Sequence, residues 1–380
     1  MVLPVALPPE YLSLCPPELD RRIGAAKRAL GERLVILGHH YQHDEILRYA
    51  DFTGDSLKLS QLAAQQSRAE FIVFCGVHFM AESADILSGG TRAVILPDLS
   101  AGCPMAEMAE ADDVQTALDE LAALAGGAAI VPITYVNSAA SAKAITGRAG
   151  GACCTSSNCR AVFEWALTQK PATGSTDVKI LALPDQHLAR ATALDMGYGL
   201  DDCALYRPRL PNGGLTAAQV RQATFILWDG WCCVHQEFTV EQIAGRRREH
   251  PGICVIVHPE CEISVVQAAD LHGSTEQIIA AVAAGSPGSQ WAVGTEINLV
   301  NRLTRLHADR RVLNLADAGG KCAMMAHIDL PHLCWALENL AAGRVVNRVQ
   351  VAEPIRRDAV IALERMIRLK GAADASPAKR

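Results

Sequence analysis

Three times along this chain a short apolar run ends in a polar cluster: Leu34-Val-Ile-Leu-Gly-His-His-Tyr41, Ile130-Val-Pro-Ile-Thr-Tyr-Val-Asn137 and Cys254-Val-Ile-Val-His-Pro-Glu260. Each has the length of a buried strand whose carboxyl end delivers polar side chains. A helical stretch follows, then a second apolar run: Phe71–Cys75, Ile180–Pro184 or Trp291–Gly294. Polar residues trail these runs too, namely His78 and Glu82, Asp185 and His187, Glu296 and Asn298. A third run (Ala93–Pro97, Thr224–Trp228, Val312–Ala316) leads into a Gly-containing loop and a cysteine. The loops are Pro97-Asp-Leu-Ser-Ala-Gly-Cys103, Trp228-Asp-Gly-Trp-Cys232 and Ala316-Asp-Ala-Gly-Gly-Lys-Cys322.

A unit that alternates strand and helix folds as a three-layer α/β domain with parallel strands. The expected fold is therefore α/β, with three similar αβα domains at roughly residues 25–110, 111–240 and 241–345. Ligands sit at the carboxyl ends of such strands. A pseudo-threefold arrangement with those ends inward would bring the three cysteines around a central site. The middle unit is longer because of inserted segments such as Thr146–Gly151 and Thr168–Val178. The Pro-rich start (residues 1–24) and the segment 346–380 read as peripheral, with helical patterns near Cys334–Ala342 and Ala359–Leu369 packing outside.

Composition agrees with a globular chain. Half of the 380 residues are hydrophobic and 20% are charged, enough to bury a sizeable core. A net charge of -6 without a basic stripe argues against nucleic acid as a partner. The apolar runs fall far short of the roughly 20 residues a membrane span needs. Met1–Pro9 lacks the pattern of a secretory signal, so a cytoplasmic setting is expected.

Thirteen cysteines are too few for a disulfide scaffold in a chain of this length, and none forms a CxxC pair. In a reducing setting such cysteines more often bind metal or do chemistry. Structural zinc wants four closed ligands, which three isolated cysteines fit poorly unless a histidine is added. An iron–sulfur cluster is held by thiolates, typically four. With three, one iron of a [4Fe–4S] cluster stays open to substrate and can act as a Lewis acid. The other ten cysteines read as reduced thiols, Cys233 being the nearest rival of Cys232.

A second triplet is made of hydroxyl residues in polar turns before helices: Gly54-Asp55-Ser56, Thr155-Ser156-Ser157-Asn158 and Gly273-Ser274-Thr275-Glu276. Any one of them alone is an ordinary N-cap. Three in equivalent places, beside helix N-termini that attract anions, point to a substrate with several anionic groups. Acid–base candidates gather at the strand ends: His39, Tyr41, His235, His258 and Glu260. Tyr135 and Asn137 occupy the matching end of the middle unit and are suited to hydrogen-bonding a substrate.

Eight segments resemble quinolinate synthases, in order and over nearly the whole chain. They are Gly38-His-His-Tyr-Gln42, Gly54-Asp-Ser-Leu57, Pro97–Met105, Tyr135-Val-Asn137, Thr155-Ser-Ser-Asn158, Trp228–His235, His258-Pro-Glu-Cys261 and Gly294-Thr-Glu296. The resemblance implies a transferase of NAD (pyridine nucleotide) biosynthesis that condenses iminoaspartate with dihydroxyacetone phosphate, releasing phosphate and two waters. It also implies three αβα domains around an oxygen-sensitive [4Fe–4S] cluster held by Cys103, Cys232 and Cys322. His39, Tyr41, Ser56, Tyr135, Asn137, Ser156, His235, His258, Glu260 and Thr275 would line the active site, with Tyr41, His235, His258 and Glu260 moving protons. An aspartate-oxidising enzyme is the implied functional link. Two other classes compete: a different three-cysteine cluster enzyme of the hydro-lyase type, and a non-enzymatic metal or redox sensor.

Overall fold

The computed structural model describes residues 6–65, 68–169, 177–369 and 378–379. Residues 170–176 of the expected insertion Thr168–Val178, the first five residues and most of the tail 371–380 lie outside the described residues. The structure is α/β throughout and contains three largely parallel sheets. The first is built from β1 (Leu34–His39), β2 (Phe52–Gly54), β3 (Phe71–Cys75) and β4 (Ala93–Ile95). The second takes β5 (Ala129–Tyr135), β6 (Ala152–Cys154), β7 (Val178–Leu183), β8 (Cys203–Tyr206) and β9 (Phe225–Trp228). The third takes β10 (Cys254–Val257), β11 (Leu271–His272), β12 (Gln290–Gly294) and β13 (Arg311–Asn314). Two short strands from the end of the chain, β14 (Arg348–Val349) and β15 (Ala378–Lys379), add antiparallel edges to the first and third sheets.

In all three sheets the second, first and third strands lie side by side in that order and the last strand of the unit follows, with β8 added outside β9 in the second sheet. Neighbouring loops at the carboxyl ends of the first and third strands therefore leave in opposite directions, which opens the crevice where open α/β sheets hold ligands. The nine-strand reading of the sequence omits β2, β6 and β11, which have only two or three residues, and also the four-residue β8 and the edge strands β14 and β15. The strands it does identify are continuous apolar runs because both faces are covered: every residue of β3 and of β7 is buried. Helices Ala111–Leu124 and Ala140–Arg148 pack Val114, Leu118, Leu121 and Ile145 into one core with Leu181, Ile226 and Trp228.

The chain is organised as two compact bodies. One comprises residues up to Cys103 together with Cys322–Arg356, and contains the first sheet. The other comprises Pro104–Lys321 and the segment from Arg357, and contains the second and third sheets. The sharing of one body by two sheets has a visible basis. Ala191, on the helix Gln186–Asp195 that follows β7, is buried in the cluster of Val257, Val265, Val266 and Ala292.

The terminal segments are built into these bodies. In the first, helix Pro16–Leu30 buries Leu19, Ile23, Ala26 and Leu30, and β14 pairs with β4 while Asp85 accepts from the Val351 backbone N–H at 2.9 Å. In the second, the part of helix Glu353–Arg368 from Arg357 onward buries Ala359, Ala362, Leu363 and Met366.

Close backbone approach fixes one glycine. A Cβ on Gly151, just before β6, would lie 1.9 Å from the carbonyl oxygen of Pro132 in β5. Gly151→Ala is expected to lower Tm by a few degrees, because overpacking costs about 1–3 kcal/mol. The control is Gly199→Ala, whose Cβ would meet nothing nearer than 3.7 Å. Thermal unfolding of both variants decides the point, and equal Tm values would refute it.

Candidate active site

The first and third sheets repeat each other at a constant displacement. Leu37 pairs with Phe52 as Ile256 pairs with Leu271, and Val35 pairs with Ile72 as Cys254 is followed in register by Trp291. Adding 219 to His39, Tyr41, Ser56 and Cys103 gives His258, Glu260, Thr275 and Cys322. The middle sheet falls into line through its strand ends. His39 lies opposite Gly54 and Tyr135 opposite Cys154, which matches Tyr41 with Asn137 and Ser56 with Ser156. Four positions are thus each filled three times: His39, Tyr135 and His258; Tyr41, Asn137 and Glu260; Ser56, Ser156 and Thr275; Cys103, Cys232 and Cys322. His235 alone of the expected site residues stands outside this pattern.

The first body carries His39, Tyr41, Ser56, Cys103 and Cys322. Buried His39 accepts the Tyr41 backbone N–H on Nδ1 at 3.2 Å, and the two rings meet edge-on with centroids 4.7 Å apart. In that neutral form the His39 proton is on Nε2.

The hydroxyl turns answer the capping question. Asp55, not Ser56, accepts the N–H of Lys58, and Ser274, not Thr275, accepts the N–H of Gln277. Ser56 and Thr275 instead begin their helices, Ser56–Gln65 and Thr275–Ala284. At that position a hydroxyl stands beside the first N–H groups and the positive end of the helix dipole, a setting that favours negative charge.

The second body carries the best-defined cluster. Glu260 Oε2 faces Nδ1 of His235 at 2.9 Å and Nδ1 of His258 at 3.2 Å, and all three side chains are at most 3% exposed. The two imidazoles stack at 4.4 Å with an interplanar angle of 18°. Their outer nitrogens reach hydroxyls, His258 Nε2 to Ser156 Oγ and His235 Nε2 to Thr295 Oγ1, each at 3.3 Å. Burial opposes ionisation of Glu260, but the two imidazoles outweigh it and hold the carboxyl below its usual range. Burial and the adjacent His235 lower the pKa of His258. The set is a buried carboxylate facing two stacked imidazoles, groups of the kind that give and take protons in catalysis.

This body also brings Tyr135, Asn137 and Thr275 to strand ends, Tyr135 and Thr275 being buried. Asn137 Oδ1, Glu260 Oε1 and Asp185 Oδ2 are buried with no hydrogen-bond partner among the described residues. Buried polar atoms of this kind are satisfied by a ligand or an ordered water. Burial and the charge of Glu260 push the carboxyl of Asp185, the N-cap of helix Gln186–Asp195, well above the usual carboxylate range.

Three residues near this cluster escaped sequence reading as site residues. Thr295 and Asp185 follow third strands, which was a usable signal. Gln236, whose Nε2 donates to the Glu260 carbonyl at 2.9 Å, carried none.

The cysteines separate by burial. Cys75 and Cys153 are fully buried and their thiols are pushed up to about 12. Cys154 is raised by a hydrogen bond with Cys159 and by burial, and Cys261 by burial. Such thiols resist becoming ligands, because the thiolate is the form that binds metal. Cys103, Cys232 and Cys322 are partly exposed and no disulfide engages any of the thirteen. Cys232, His235 and Glu260 offer donor atoms within 4.8 Å of one another. The loops of Cys232 and Cys322 have the same shape, each with a carbonyl accepting the N–H four residues on at 3.3 Å and a short 3-10 turn beginning three residues on. Soft, accessible thiols of this kind are ligands for soft metals and iron–sulfur clusters rather than for hard cations.

Among the described residues no helix is long and apolar enough to cross a membrane. The profile of the family described as Quinolinate synthetase A protein matches residues 21–368. The quinolinate synthase of Nocardioides sp. is 52% identical over 356 residues, covering 93% of this chain and 90% of that protein. That of Streptomyces coelicolor is 49% identical over 368 residues, covering 96% and 92%. That of Corynebacterium glutamicum is 46% identical over 371 residues, covering 98% and 92%. With its repeated strand ends, its buried histidine–carboxylate set and relatives matched along almost their whole length, this chain belongs to the quinolinate synthase family.

Proposed function

We propose that the chain condenses iminoaspartate with dihydroxyacetone phosphate to quinolinate, releasing phosphate and two waters. The observation that carries this reading is the buried His235–Glu260–His258 set joined to Ser156 in a member of this family. The reaction balances without oxidant or reductant, so it needs proton transfers, orientation and a route for leaving groups rather than an electron relay.

Ser56 and Thr275 at the starts of their helices, together with Ser156 in the turn before helix Cys159–Leu167, hold the carboxylates and phosphate. His39, Tyr135 and Asn137 orient the substrates by hydrogen bonds. Tyr41 and the His235–Glu260–His258 set remove and return protons as carbon–carbon and carbon–nitrogen bonds form. Cys103, Cys232 and Cys322 are the thiolates that would hold a [4Fe–4S] cluster. When bound, that cluster supplies a Lewis-acidic iron for the departing oxygen. An aspartate-oxidising enzyme is the source of the unstable imine, and the cytoplasm is the place where reduced thiols persist.

A second reading rests on the Cys232, His235 and Glu260 donors, which would also suit a closed zinc site. Protein purified without oxygen separates the two. About four irons and four sulfides per chain, with quinolinate formed from the two substrates, is the expected result. Stoichiometric zinc without sulfide would overturn it. A loaded enzyme that dehydrates a hydroxy acid and ignores dihydroxyacetone phosphate would point to a hydro-lyase instead.

A further inference from the structure

Each cysteine loop begins with an aspartate: Asp98 five residues before Cys103, Asp229 three before Cys232, Asp317 five before Cys322. The three meet different surroundings. Asp229 accepts from Gln186 Nε2 at 3.0 Å and faces Arg207 at 3.6 Å. Asp317 pairs with Arg246 at 2.8 Å, and its side chain is 91% exposed. Asp98 is 16% exposed and turns toward the loop of another cysteine.

Its Oδ1 accepts the N–H and the hydroxyl of Ser100 at 2.9 and 2.7 Å, which closes its own loop. Its Oδ2 faces His327 Nδ1 at 3.3 Å and His332 Nε2 at 3.7 Å. Ser100 Oγ also lies 3.1 Å from His327 Nδ1. His327 follows Cys322 by five residues, as Asp98 precedes Cys103 by five. His332 is fixed in turn by Asp329, ring nitrogen to carboxylate at 2.7 Å. On another side of the same loop, Gln42 Nε2, next to Tyr41, donates to the Met325 carbonyl at 3.0 Å. All of these residues belong to the first body.

We infer that Asp98 is a positioning residue that ties the Cys103 loop to the Cys322 loop, so that two of the three thiols are set in place before any cluster arrives. The inference rests on the ligand assignment proposed above. Burial works against the Asp98 charge, but the Ser100 donors and the two imidazoles hold it ionised. Partly exposed pairs of this kind add little to global stability, so the gain lies in the geometry of the loops. Outer partners that orient metal ligands change metal affinity by about 10–100-fold.

The test uses full-length wild type, Asp98→Asn, Asp98→Glu and, as control, Asp317→Asn, all reconstituted without oxygen. Iron and sulfide per chain, the rate of cluster loss to a chelator and the Tm of the metal-free protein are recorded. Asp98→Asn should lose its cluster about tenfold faster than wild type, with an unchanged metal-free Tm. Asp98→Glu should recover part of the loss, and Asp317→Asn should match wild type. Equal loss rates in Asp98→Asn and wild type would overturn the inference. So would equal acceleration in Asp317→Asn, or a metal-free Tm that falls in step with cluster retention. A wild-type chain that takes up neither iron nor sulfide overturns the ligand assignment itself, and this inference with it.

Discussion

A Glu260→Gln variant should fold normally and lose about a hundred- to ten-thousand-fold in turnover, the range typical of positioned acid–base groups. One oxygen of Glu260 serves Nδ1 of both His235 and His258, at 2.9 and 3.2 Å. His258 Nδ1 also accepts the Glu260 backbone N–H at 3.4 Å, so in the neutral ring it has no proton for the carboxylate, and Glu260 can accept from that ring only when it is charged. A carboxamide is nearly isosteric but accepts on one side only and presents N–H donors on the other. The carboxamide carries no charge, so it no longer stabilises an imidazolium that forms when either ring takes a proton. KM for dihydroxyacetone phosphate should change little, because the hydroxyls and helix starts that hold anions are untouched. Steady-state kinetics in both substrates checks this. Turnover within threefold of wild type would remove Glu260 from the chemistry.

Replacing Cys103, Cys232 or Cys322 singly by alanine should leave protein that retains little iron and sulfide and has less than about one hundredth of the wild-type activity. Even partners one shell out tune metal affinity by one to two orders of magnitude, and losing a ligand costs more. The decisive comparison is between neighbours. Cys232→Ala should lose the cluster, whereas Cys233→Ala, at an exposed thiol, should keep it. Iron, sulfide and the visible spectrum after anaerobic purification read the outcome. A fully loaded Cys232→Ala protein beside an empty Cys233→Ala protein would reverse the assignment.

Much of this architecture was legible in the chain. Parallel strands buried on both faces must be apolar throughout, so β1, β3, β5, β7, β10 and β12 announce themselves, and the polar residues that end them mark the site. The short strands β2, β6 and β11 were not legible, because two or three residues carry no periodicity. Their presence sets the register that places Ser56, Ser156 and Thr275 beside the first strands' ends. The constant displacement of 219 between Tyr41 and Glu260, and between Cys103 and Cys322, was written in the sequence. It was hidden by the different chemistry of a phenol and a carboxylate at one position. The pairing of His235 with Glu260, and of Asp98 with His327, joins segments distant along the chain, and no local pattern encodes it.

The antiparallel pairing of β14 with β4 bears on how the protein is made. Arg348 pairs with Ile95 and Val349 with Val94, so the outer edge of the first sheet is closed by residues synthesised about 250 positions later. At typical rates of translation that interval is roughly 10–50 s. During it, β4 presents unpaired N–H and C=O groups, the kind of edge that recruits strands from other chains. Synthesis must reach Val349 before the first-made strands are sealed. Slower translation lengthens the interval in which that edge stays open until residue 349 arrives.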